Sequence, residues 1–155
     1  MNNHGFTLIE MMIGLLLVSV IGFGVTEASL TARKVWEREA VVLQLQQQAR
    51  LAIDAMSSEL RAARNLTFEN ETSLVFSTPN LTGVSYYLNS SANQIVREYP
   101  SGTKKVLANR AVFLNLSSDG SEATIQLRMA KDYRGTTVYF PASGNLTEVV
   151  NLRNE

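Results

Sequence analysis

Side chains able to do chemistry are few in this chain and poorly placed for it. The 155 residues contain one histidine, His4, and no cysteine. Without thiols there is no disulfide framework, thiolate metal site or cysteine nucleophile. A Ser-His-Asp relay or a histidine-ligated metal would have to be built around His4, four residues from the start. Glu69, Glu71, Glu98, Asp119, Glu122, Asp132, Glu148 and Glu155 are scattered and mostly beside turn residues, with no D-x-[DN]-x-[DN]-G loop for calcium. No catalytic residue, metal or cofactor is expected, and no enzymatic role. The 14 Lys+Arg balance 14 Asp+Glu, so the basic surplus that phosphate binding requires is missing and no nucleic-acid partner is indicated. Tyr86, Tyr87, Tyr99, Tyr133 and Tyr139 could form a sugar- or peptide-binding platform, or serve as strand packing, which aromatic residues favour. Lys104 and Lys105 read as a solvated hairpin.

The ionisable group in the most unusual setting is Glu10. From Met11 to Thr26 no residue is charged, and the run from Phe6, FTLIEMMIGLLLVSVIGFGVT, is 21 residues broken only by Glu10. At 1.5 Å per residue this makes roughly 31 Å of helix, close to the ~30 Å hydrocarbon layer of a bilayer. A secretory signal peptide would need a basic start and a small-residue cleavage site. Here residues 1–5 carry no Lys or Arg, and Val25-Thr26-Glu27-Ala28-Ser29 matches such a site poorly. An ordinary single-pass anchor is the other reading, and Glu10 is its difficulty. A carboxylate near the end of an apolar helix costs about 2–3 kcal/mol unless it reaches water or a partner. Either Glu10 is solvated at the interface, or a cation offsets its cost when subunits meet.

The elements that follow set the architecture. From Glu27 to Asn65 there is neither proline nor glycine, and Ala, Leu, Gln, Glu and Arg predominate, which predicts continued helix. Val42, Leu45, Ala49, Ala52, Met56, Leu60 and Ala63 draw one apolar stripe at spacings of three and four, a face for a sheet or a short coiled coil. Unbroken from Phe6 to Asn65, the helix would be ~90 Å long. Beyond Asn65 the period becomes two. Leu74 and Phe76; Val84, Tyr86 and Leu88; Val112, Leu114 and Leu116; Ile125, Leu127 and Met129; Val138 and Phe140; and Val150 and Leu152 alternate with polar residues. Thr82-Gly83, Ser101-Gly102, Asp119-Gly120, Arg134-Gly135 and Ser143-Gly144-Asn145 punctuate them. The fold expected is α+β: a long N-terminal helix, half transmembrane and half amphipathic, packed against an antiparallel β-sheet head. The divisions are 1–5, 6–26, 27–65 and 66–155.

Gly5-Phe6-Thr7-Leu8-Ile9-Glu10 ahead of an apolar helix resembles the N-terminal signature of type IV pilins and of the pseudopilins of type II secretion. The resemblance implies that residues 1–5 are a leader, that a prepilin peptidase cuts between Gly5 and Phe6, and that Phe6 becomes N-methylated. It makes Glu10 the acidic residue used in assembly. The partners implied are other pilin or pseudopilin subunits, an inner-membrane assembly platform and the lipid bilayer. The chain would sit in the inner membrane with its N-terminus cytoplasmic and its head periplasmic, then enter a filament. Charge counting does not supply that orientation, since the leader is uncharged while Arg33 and Lys34 follow the apolar run. Gly22 and Gly24 are hinge candidates, at about 1 kcal/mol of helix stability each. Glu59-Leu60-Arg61-x-Ala63 and a closing Leu152-Arg153-Asn154 resemble the larger minor pilins and pseudopilins. A membrane-anchored binding or sensor domain that never polymerises is the alternative, and processing after Gly5 distinguishes the two.

Overall fold

The computed structural model describes residues 7–152; Gly5 and Phe6 lie outside the described residues. The chain forms two compact units that meet between Glu39 and Ala40. One helix, α1 (Leu8–Leu60), contributes to both. In the first unit every described residue, Thr7 to Glu39, is exposed.

In the second unit α1 is amphipathic, and it packs against antiparallel sheets. Leu45, Ala49, Ala52, Met56 and Leu60 are fully buried on one stripe, with Ile53 beside them. The stripe follows the periodicity of the sequence except at its start, where Val41 is buried and Val42 only partly so. The helix ends at Leu60, before the expected Asn65. Ala62 and Ala63 donate to the carbonyls of Glu59 and Leu60, three residues back, and tighten the last turn. Asn65 then takes a positive φ of 55°, and Arg64 is already paired with Ser77. Strand pairing overrides the helix preference of Arg61-Ala62-Ala63-Arg64, which holds no proline or glycine to announce the change.

Among the described residues nine strands follow, divided between two sheets where the alternation suggested one. The first is a five-stranded meander in chain order, of β1 (Arg64–Asn70), β2 (Ser73–Thr78), β3 (Leu81–Asn89), β4 (Gln94–Glu98) and β5 (Lys104–Asn109). The second sheet contains β6 (Ala111–Ser118), β7 (Glu122–Tyr133), β8 (Thr136–Phe140) and β9 (Leu146–Asn151). Its axis is the 12-residue β7. β6 pairs along one side; β8 takes Met129–Tyr133 on the other, and β9 takes Glu122–Leu127. The turn at Arg134-Gly135 has φ of 49° and 77°, the left-handed pair that a two-residue hairpin needs to match strand twist.

Both sheets turn one face to the helix. Leu74, Phe76, Val84, Tyr86 and Ile95 come from the first, and Leu114, Leu116, Ile125, Leu127, Met129, Val138 and Val150 from the second. Each large side chain so buried contributes about 1.5–3 kcal/mol of transfer free energy. Phe76 and Tyr86 stack with ring centroids 5.4 Å apart. The unit has one core, shared by the helix and both sheets.

Candidate membrane and assembly segment

The segment begins at Thr7, which caps α1. Its backbone N–H and its hydroxyl both donate to Glu10 Oε2, each at 2.8 Å, and the Glu10 N–H donates to Thr7 Oγ1 at 3.3 Å. This reciprocal arrangement is a capping box, in which the first and the fourth residue satisfy each other's orphan donors. The Thr-x-x-Glu spacing of Thr7 and Glu10 is the sequence signal of this box, overlapped here by the apolar run. The carboxylate also sits in the first turn, where the positive end of the helix dipole favours an anion.

Beyond Glu10 the helix is long and apolar enough to cross a membrane, and none of that stretch is buried within the protein. Leu8, Val18 and Phe23 are 79%, 67% and 70% exposed. An apolar surface this extensive on a free chain marks a lipid or protein contact. Gly22 and Gly24 sit inside continuous helix. A methyl group built on either meets nothing within 4 Å, so no neighbour in the free chain requires a glycine there. Ser19 and Thr26 return their hydroxyls to the carbonyls of Leu15 and Gly22, at 2.7 and 2.8 Å, a bond that satisfies a polar side chain where water is scarce.

A second polar cluster, not foreseen from the residues, ties the end of the helix to the first sheet. Glu59 accepts from the Tyr86 hydroxyl at 2.8 Å and from Arg97 Nε, with both carboxylate oxygens 3.0 Å away. Leu60 and Ala63, its neighbours in the Glu59-Leu60-Arg61-x-Ala63 motif, are buried. Burial, followed by the bond and charge of Glu59, pushes the Tyr86 phenol well above its usual range. For Arg97, burial acts against the charge, but the bond and charge of Glu59 outweigh it and the pKa is raised. The Arg97 guanidinium also lies 5.7 Å from the Tyr99 ring centroid. An acid in the last turn opposes the helix dipole, and Arg97 compensates it. The cluster clamps the end of the helix to β3 and β4.

The tyrosines share no platform. Tyr86 is in the core, whereas Tyr139 is exposed and carries the Arg128 guanidinium 4.4 Å from its ring centroid. Lys104 and Lys105 follow the β4–β5 turn and pair with Glu98 and Arg97 in register. Among the described residues, no group of three or more His, Cys, Asp or Glu side chains could hold a metal ion.

These features define a class: an α+β protein whose sheets pack on the distal part of a helix that begins as a membrane-length apolar segment. Residues 1–26 match the family described as the prokaryotic N-terminal methylation motif. The chain carries the type IV pilin and pseudopilin signature. No curated protein and no solved structure matches it.

Proposed function

We propose that the chain is the precursor of a structural subunit, of the minor kind, in a type IV pilus or a type II secretion-like pseudopilus. Residues 1–5 are the leader, a prepilin peptidase cuts after Gly5, and Phe6 becomes the N-methylated terminus. Residues 6–26 hold the subunit in the inner membrane, N-terminus cytoplasmic and β-rich part periplasmic, until an assembly platform extracts it. The observation that carries this reading is the methylation motif over residues 1–26, which runs into a helix whose apolar residues from Leu8 to Thr26 are all exposed among the described residues. Apolar helices that lie in lipid before extraction lie against one another afterwards, so the same surface serves both states. The Glu59-Leu60-Arg61-x-Ala63 and Leu152-Arg153-Asn154 motifs support the minor assignment.

Processing tests the proposal. Mass spectrometry of the N-terminal peptide should find N-methyl-phenylalanine at Phe6, and Gly5→Glu should leave the precursor intact, because a small residue is needed beside the scissile bond. A chain that keeps Met1 in cells with an active prepilin peptidase is an anchored domain and not a pilin-type subunit.

A further inference from the structure

The five-stranded sheet has a second face, turned away from α1, and it is cupped. Register shifts interrupt three of its four strand pairings, β1–β2, β2–β3 and β4–β5, and such bulges bend and twist a sheet. The cup is a groove of about 480 Å³ lined by Glu69, Ser73, Ser85, Tyr87, Glu98 and Ser101, among others, with no Lys or Arg in its wall. Its hydroxyls and two carboxylates make it polar and anionic. It lies wholly in the second unit and owes nothing to the membrane segment.

Beside two of the lining residues, Glu98 and Tyr87, a cation is already held, by a lysine that is not itself part of the wall. Lys104 Nζ lies 4.0 Å from Glu98 Oε2 and 5.8 Å from the Tyr87 ring centroid. Two hydrogen bonds hold the Glu98 carboxylate in place, its Oε1 accepting from the Gly102 N–H at 2.8 Å and its Oε2 from the Tyr87 hydroxyl at 3.3 Å. A carboxylate beside an aromatic face is a good ammonium site. The Lys104 side chain is nonetheless 60% exposed against 22% for Glu98, and an exposed pair at this distance is weak. Tyr87, then Glu98, hold its ammonium pKa above the usual lysine value.

We propose that this groove is a docking site for a lysine side chain of another protein chain, whose ammonium takes the place beside Glu98 and Tyr87 that Lys104 fills in the free molecule. Charge complementarity selects the occupant: two carboxylates line the groove and one exposed internal cation offsets them. The groove is much larger than an ammonium, so backbone flanking the incoming lysine fits too, within reach of Ser73, Ser85 and Ser101. A neutral saccharide is the poorer fit, because it brings no charge to the Glu98 carboxylate.

The test is a titration of the full chain in detergent micelles, isotopically labelled, followed by the amide shifts of Ser85, Tyr87 and Glu98. The probes are acetyl-Ala-Lys-Ala-amide, its norleucine counterpart and chitobiose. The lysine peptide should move these signals and the norleucine peptide should not, and Glu98→Gln should abolish the response. The decisive variant is Lys104→Met, which is exposed and leaves the Glu98–Gly102 bond in place. An internal ammonium that occupies the site about two-thirds of the time weakens apparent affinity about three-fold, so its removal should tighten lysine-peptide binding by that factor. Unchanged or weaker binding in Lys104→Met overturns the proposal. So does a response to chitobiose without one to the lysine peptide, or no response to any probe.

Discussion

Glu59→Ala should destabilise the second unit far more than its position on a helix surface suggests. The substitution removes the acceptor for two groups at once. The Tyr86 hydroxyl, on a residue with no measurable exposure, is left without the bond it makes at 2.8 Å. An orphaned buried donor costs about 1–3 kcal/mol. Arg97, with its side chain 16% exposed, loses its counter-charge. Breaking a fully buried pair costs about 3–5 kcal/mol, but Glu59 is 30% exposed and water can replace part of it, so the lower end applies and the two effects overlap. Together they come to about 2–4 kcal/mol. Chemical denaturation of the full chain in micelles, followed by hydrogen exchange of the β3 and β4 amides, measures this directly. A double-mutant cycle with Tyr86→Phe separates the terms: removing the phenol should destabilise while Glu59 is present and recover part of the loss once Glu59 is gone and the hydroxyl is orphaned, with a coupling of about 1 kcal/mol or more. A Glu59→Ala cost below about 1 kcal/mol, or zero coupling to Tyr86, would refute the clamp.

Two further outcomes follow. The Tyr86 phenol is raised above its ordinary 10.0, so folding favours the neutral form; that stability is complete below pH about 10 and lost as the pH rises further, because the unfolded chain then holds fewer protons. Alkaline unfolding should therefore steepen above this point in the wild type and less so in Tyr86→Phe, and identical profiles would contradict it. Gly22→Ala with Gly24→Ala should stiffen the helix by about 1 kcal/mol per site without a clash; if local unwinding there accompanies assembly, the variant inserts and is processed normally but enters filaments poorly, and wild-type incorporation would remove both glycines as hinges.

What the residues reveal in advance depends on how local the cause is. The buried stripe of α1 from Leu45 to Leu60 is legible because helical period and burial coincide, and so are β2, β3 and β6 to β9, where inward residues alternate. The exception is the start of β6, where a register shift buries Ala111 and exposes Val112. The missed strands have weak patterns for identifiable reasons. β1 is an edge strand with no buried residue, and β5 an edge strand that buries only Ala108. In β4 the register shift between Ile95 and Val96 buries two adjacent residues and spoils the period of two. The Glu59 clamp was invisible because its partners lie 27 and 38 residues away. Division into two sheets is likewise a non-local fact, since each hairpin looks the same from its own sequence.

Glu10 carries two physical roles that can be separated. In the described structure its carboxylate completes the capping box, with both Thr7 donors ending on Oε2. The proposed filament role instead uses its charge, toward the new amine of Phe6 on a neighbouring subunit. Two unit charges ~4 Å apart at an effective dielectric near 20 attract by ~4 kcal/mol, enough to offset a cost of ~2–3 kcal/mol for a carboxylate near the apolar end. The cap does not compete with that pairing, because no described residue is bonded to Oε1. Glutamine at this position still serves a capping box, so Glu10→Gln removes the charge and keeps the cap. Thr7→Val does the reverse, fraying the first turn at a cost of about 0.5–2 kcal/mol. Measured against a tagged wild-type copy in the same cells, Glu10→Gln should be inserted and cut yet largely excluded from filaments, while Thr7→Val should be incorporated. The opposite ranking, with Thr7→Val excluded and Glu10→Gln incorporated, would leave Glu10 a helix cap whose charge has no part in assembly.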